Sequence, residues 1–124
     1  MVLKLYGCTI STCTRRVATV LNEKNIPYEL IPVQTSKNEQ KVSSFLEKQP
    51  FGQIPYIDDD GFILFESRAI ARYIALKYKD QGTPLTPDPS DLKATAVFEQ
   101  AASVEGSNFD VYAHGLAFEK VFKP

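Results

Sequence analysis

The sequence has almost no charge excess: 14 Lys and Arg stand against 15 Asp and Glu, a net charge of -1. A chain so balanced has no field to gather nucleic acid or an anionic membrane, and it contains no five-residue basic run. Long apolar runs are also missing. Charge interrupts every apolar stretch within a few residues, far short of the roughly 20 needed to cross a bilayer, and Met1-Val2-Leu3-Lys4 lacks a signal-peptide core. A cytoplasmic protein with no nucleic-acid or membrane partner is expected. Cysteine is scarce: Cys8 and Cys13 cannot build a disulfide framework, and with His114 they are too few for a His/Cys metal site. Two free thiols and no metal are expected. What is present is the composition of an ordinary globular protein, 124 residues at 44% hydrophobic.

The first eighty residues alternate strand and helix signals. Val2-Leu3-Lys4-Leu5-Tyr6, closed by Gly7, fits a buried strand. A helix is expected from Ser11, an N-cap residue type, with Cys13, Val17, Val20, Leu21 and the stem of Lys24 on one face, ending before Pro27. Tyr28 to Val33 reads as a second strand, which Pro32 demotes to a sheet edge because it cannot donate to the ladder. The polar stretch 34–40 predicts a loop and 41–46 a short helix. Ile54-Pro55-Tyr56-Ile57 and Phe62-Ile63-Leu64-Phe65 flank an Asp-Gly turn and predict a hairpin. Ile70, Tyr73, Ile74 and Tyr78 then recur at helical spacing after Glu66-Ser67. The order βαβαββα describes an α/β unit with a mixed sheet of thioredoxin-like type.

Pro84, Pro87, Pro89 and Gly82 mark a linker over 81–90, so the expected division is 1–80, linker, 91–124. The last segment predicts a helix over about 91–105, followed by Phe109, Val111, Tyr112, Leu116, Phe118, Val121 and Phe122, more apolar bulk than so short a stretch buries alone.

Four segments carry candidate chemistry: Ser11-Thr12-Cys13-Thr14-Arg15-Arg16-Val17, Glu39-Gln40-Lys41, Pro50-Phe51-Gly52-Gln53-Ile54-Pro55 and Phe65-Glu66-Ser67-Arg68-Ala69-Ile70. In order and spacing they resemble the cytosolic glutathione S-transferases, most closely the phi class of plants and its fungal relatives. The resemblance implies a thioredoxin-like glutathione domain followed by an all-helical domain. It implies that the chain stops within that second domain, since complete family members add further helices, the acceptor pocket and much of the dimer contact. It also implies that glutathione is the co-substrate, that a hydrophobic electrophile is the acceptor, and that the assembly is a homodimer or a helix-swapped oligomer.

Residue by residue, the resemblance makes Ser11 the hydroxyl that donates to the glutathione sulfur, with Thr12 beside it. Lowering a thiol pKa from about 8.5 by two units takes about 2.7 kcal/mol of thiolate stabilisation. One hydroxyl donor and a helix N-terminus supply roughly that much together. Read without the resemblance, Ser11 is a helix cap. Ile54-Pro55 points to a cis bond that turns the backbone of Ile54 towards the cysteinyl part of the ligand, with Gln53 nearby; otherwise Pro55 is a turn residue. The Glu66-Ser67 junction receives the γ-glutamyl end, Glu66 facing its ammonium, although from the residues alone it is an ordinary helix start. Gln40 and Lys41 match the contact to the glycyl carboxylate. Arg15 and Arg16 read as helix-surface charge, and Arg68 as a pairing residue.

Two other readings remain open at this stage. Cys13 lies two residues beyond the position where glutaredoxins and omega- or lambda-type transferases carry a nucleophilic Cys, so glutathione-dependent thiol transfer or peroxidase chemistry is one alternative. A glutathione-binding or oligomerisation module without turnover is the other.

Overall fold

Alternating side chains start the sheet. In a computed structural model that describes residues 1–124, β1 (Leu3–Gly7) buries Leu3, Leu5 and Gly7 and leaves Lys4 and Tyr6 half-buried, the period of two that a strand imposes. α1 (Thr12–Glu23) follows and buries Thr14, Val17 and Leu21. β2 (Tyr28–Pro32) pairs parallel with β1, which requires the intervening crossover helix. Its place at the sheet edge accommodates Pro32.

β3 (Tyr56–Asp59) and β4 (Phe62–Phe65) form the expected hairpin, and β3 also runs antiparallel to β1, giving the order β2-β1-β3-β4. Asp60 and Gly61 have φ of 54° and 90°. Two positive φ values in succession make the turn whose twist matches the flanking strands, and Asp-Gly tolerates them. α3 (Ser67–Lys77) buries Ile70, Ile74 and Ala75.

Two cores flank this sheet. Leu3, Leu5, Val17, Leu21, Ile26, Ile57, Ile70 and Ile74 form one, under α1 and α3. Val33, Phe45 and Tyr56 form the other, joined by Tyr6, Ile54, Ile63 and Phe65. Neighbours along a strand point to opposite faces, so Leu5 and Ile57 serve the first core while Tyr6 and Tyr56 serve the second, where their rings stack at 4.4 Å.

Differences from the sequence reading are local. The 34–40 stretch contains two single 3₁₀ turns, Thr35–Lys37 and Glu39–Lys41, hinged at Asn38 with φ of 57°. The carboxylate of Glu39 accepts the Gln34 amide at 2.7 Å and so closes the loop on itself. Extended backbone at Val42 then confines the next helix to the single turn of α2 (Ser43–Leu46). Lys24 is not merely a buried stem: the whole residue is 1% exposed. Its ammonium donates to the Gln81 carbonyl at 3.3 Å, the Gln81 amide donates to the Lys24 carbonyl at 2.8 Å, and the Thr83 amide donates to the Glu23 carbonyl at 2.8 Å. Residues 81–83 are thereby strapped to the end of α1.

The chain divides into two compact units, Met1–Leu85 and Thr86–Pro124. In the second, α4 (Leu92–Val104) begins at Asp91, whose carboxylate accepts the Ala94 amide at 3.0 Å. Helical structure does not stop near residue 105. It passes through a π turn at Glu105–Phe109 into α5 (Asp110–Ala117) and a second π turn at Phe118–Phe122. No residue of α4 or α5 is fully buried. No helix of the chain is long and apolar enough to cross a membrane.

Candidate functional site

Strand register gathers distant segments at one end of the sheet. Gly7 lies opposite Pro32, Tyr6 opposite Tyr56, and Tyr56 opposite Phe65. β1, β2 and β4 therefore end at that row, and β3 begins there. Loop 8–11, loop 33–41, the approach 52–55 and the Glu66-Ser67 junction all lie just past it. Open α/β sheets present their ligand sites at strand ends of this kind.

Ser11 is the N-cap of α1, its hydroxyl oxygen accepting the Thr14 amide at 3.1 Å. The loop before it is fixed twice. The Ser11 amide donates to the Cys8 carbonyl at 3.2 Å, and the Arg15 guanidinium donates to the Thr9 carbonyl at 2.6 Å. Buried Thr14 also accepts the Cys8 amide at 3.4 Å, so one short segment orients the serine from both sides. Thr12 is exposed at the first turn of α1.

Gln40 and Lys41 reach the approach to β3. The Lys41 ammonium donates to the Phe51 carbonyl at 3.3 Å. Gly52 has φ of +61°, and a Cβ there would stand 2.8 Å from that ammonium and 3.0 Å from the Gln40 carbonyl, so only glycine lets the two segments meet this closely. The Gln40 side-chain nitrogen donates to the Thr35 carbonyl at 3.5 Å, while its Oε1 is buried without a hydrogen-bond partner. Buried acceptors rarely stay unpaired. Buried Gln49, a residue not singled out from the sequence, accepts the Phe51 amide at 2.7 Å and shapes the turn. Gln53 is exposed, Ile54 half-buried and Pro55 buried, and the Ile54-Pro55 bond is cis.

At the start of α3, Glu66 is the exposed N-cap residue, with φ of 72°, and its carboxylate makes no cap bond to the helix it opens. Ser67 is buried and its hydroxyl accepts from the Arg16 guanidinium at 2.8 Å. This corrects the reading of Arg16 as helix-surface charge. It is half-buried and also lies 3.6 Å from the Cys13 sulfur. The available signal was its spacing, three residues after Cys13 and four before Val20, on their side of the helix. Arg15, by contrast, is exposed.

Beneath the site, burial together with the neighbouring Tyr6 and Asp58 pushes the Tyr56 phenol up to about 12. It stays protonated at neutral pH and serves as packing for Tyr6 and Phe45.

Residues 1–76 match the family described as glutathione S-transferase, N-terminal domain. Glutathione S-transferase hmp2 of Hypomyces subiculosus is 50% identical over 123 residues, which is 99% of this chain and 57% of that protein. Glutathione transferase F7 from Populus trichocarpa superposes with a TM-score of 0.94 at 44% identity, over 99% of this chain and 57% of its own. Glutathione S-transferase I from mais, solved in complex with an atrazine glutathione conjugate, gives a TM-score of 0.87 at 31% identity, over 100% and 56%. The chain thus spans little more than half the length of the relatives it matches.

Proposed function

Because this chain belongs to the glutathione S-transferase family, with F-series (phi) transferases among its relatives, we propose that it binds glutathione and activates the thiol through Ser11 for attack on a hydrophobic electrophile. The observation that carries this reading is the state of the Ser11 hydroxyl. Its oxygen caps α1 by accepting the Thr14 amide at 3.1 Å, which occupies a lone pair and leaves the proton to donate elsewhere. A thiolate at that point also meets the positive end of α1. The rate gain comes from nucleophile activation and proximity, not from a base beside the serine.

The other candidates take matching parts. The Ile54 backbone beside cis-Pro55 pairs with the cysteinyl unit, and Gln53 and Thr12 line its approach. Glu66 faces the γ-glutamyl ammonium and Ser67 its carboxylate. Lys41 and Gln40 face the glycyl end, where the orphaned Gln40 Oε1 accepts a peptide N–H. The unit is the glutathione domain, and the segment beyond the linker belongs to the helical domain of a cytoplasmic, dimeric detoxification enzyme. The atrazine conjugate held by the mais relative supports conjugation chemistry of this kind.

A second reading is a glutathione-binding module without turnover. Calorimetric titration of the 124-residue chain with glutathione, beside conjugation of an aryl halide, separates the two. Binding with conjugation supports the transferase, binding without it the module, and absence of binding refutes both. Mixed-disulfide reduction lost in Cys13→Ser but kept in Ser11→Ala would select thiol transfer instead, and hydroperoxide reduction lost in Ser11→Ala would select peroxidase use of the same thiolate.

A further inference from the structure

We propose that Arg16 is a positioning residue of the glutathione site, turning the Ser67 hydroxyl proton towards the γ-glutamyl carboxylate from behind. The inference rests on the glutathione-binding reading and adds to it a residue on a different helix.

The guanidinium of Arg16 donates to the Ser67 hydroxyl oxygen at 2.8 Å across 51 positions of sequence. A guanidinium has five donors and no acceptor, so the serine proton cannot point back at it and must be offered to some other acceptor. Ser67 is 7% exposed and opens α3, where backbone N–H groups also face outward without intrahelical partners. A hydroxyl that accepts a charge-assisted bond is polarised and becomes a better donor in turn. Guanidinium, hydroxyl and helix N-terminus therefore stand in series, and a carboxylate is the group that such a series suits.

The same bond fixes geometry between the two halves of the site. Arg16 rides on the helix that Ser11 caps, and Ser67 on the helix that follows β4, so their bond ties the thiol end of the ligand to its γ-glutamyl end. The Cys13 sulfur, 3.6 Å from the same guanidinium nitrogen, is a weak acceptor, and the short bond to Ser67 is the stronger of the two.

Calorimetry with two ligands tests the assignment: glutathione, and 4-aminobutyryl-cysteinyl-glycine, which keeps the chain and ammonium but lacks the α-carboxylate. Arg16→Gln is expected to raise the glutathione Kd about tenfold, the scale of one charge-assisted bond. The same change is expected to cost less than about twofold in a Ser67→Ala background, because coupled residues are not additive. It is likewise expected to leave the analogue within about twofold. Arg16→Lys, which keeps a cation without the fixed fork, is expected to fall between, and it carries the comparison if Arg16→Gln fails to fold. Thermal unfolding of each variant is recorded alongside, since a plain tie between helices lowers Tm without distinguishing the ligands. Equal losses in both backgrounds, equal losses for both ligands, or a loss reproduced by Cys13→Ala overturn the positioning role while leaving glutathione binding standing. Wild-type chain that binds neither ligand overturns the binding reading and this inference together.

Discussion

The Ser11 hydroxyl oxygen receives the Thr14 amide proton at 3.1 Å, so the first helix is capped by the residue whose own proton the proposed chemistry uses. Capping and donation draw on different parts of one hydroxyl. They are therefore separable by substitution.

Ser11→Ala removes both and is expected to cost about 1 kcal/mol of stability through the lost cap. It is also expected to return the thiol of bound glutathione towards its free pKa of about 8.5. Ser11→Asp restores an acceptor for the Thr14 amide but offers the sulfur an anion. Its Tm should match wild type while its thiolate absorbance at neutral pH is lost. If Ser11→Asp retains the thiolate signal, the donor role is wrong.

Acid stability provides a second expectation, at Asp59. Burial pushes its carboxyl up, yet hydrogen bonds from Lys77 at 2.5 Å and Tyr73 at 2.7 Å, with the Lys77 charge, hold it below the ordinary value. A carboxyl lowered on folding stabilises the protein above its unfolded pKa and loses that contribution as pH falls through the folded one. Asp59→Asn is thus expected to cost about 1–2 kcal/mol at neutral pH. The gap to wild type should close as pH drops below 3.8. Lys77 is 39% exposed and screened by water, so Tyr73→Phe should cost more than Lys77→Met. Urea titrations across a pH series measure all three.

At Lys24 the buried stem and the bonded ammonium can be told apart. The residue is 1% exposed, so Lys24→Ala leaves a cavity and is expected to cost about 2–4 kcal/mol. Lys24→Met fills the same space without the strap bond to Gln81 and should cost less than about 1.5 kcal/mol. Equal losses in chemical denaturation would show that the bond to Gln81, not the packing, dominates.

Exposed apolar groups in the second unit set a fourth expectation. Val97, Val111, Tyr112 and Leu116 are between 61% and 75% exposed, more apolar surface than a monomeric unit of this size ordinarily presents. Light scattering of the 124-residue chain is expected to show mass rising with concentration, and Val97→Glu with Tyr112→Glu is expected to suppress the rise. A concentration-independent monomer would contradict it.

Elements whose signals are local were readable from the sequence. The Asp-Gly turn at Asp60-Gly61, the three- and four-residue spacing through Ile70 and Ile74, and Pro32 at a sheet edge each follow from neighbours along the chain. The role of Arg16 is not legible in its neighbours because its partner Ser67 lies 51 positions away and is reached only when α1 and α3 pack together. For Lys24 only the buried stem is legible locally, since its strap returns from residues 81–83. The Glu66 backbone, at φ of 72°, carries no sequence cue of the kind glycine provides. Beyond residue 105, a helical run that buries none of its residues fully has no clear apolar stripe to betray its period.

The position of β1 has a consequence for synthesis. Of the four strands of the sheet it is the first to emerge during translation, yet it sits inside the sheet, with β2 on one side and β3 on the other. Its second ladder pairs Lys4, Leu5 and Tyr6 with Asp58, Ile57 and Tyr56, so it stays incomplete until more than half the first unit has been made. Leu5, fully covered in the finished protein, gains its cover under α3 later still. The nascent chain thus carries an unsatisfied apolar strand through most of the making of its first unit, and the hairpin and last helix of that unit are what release it from that exposure.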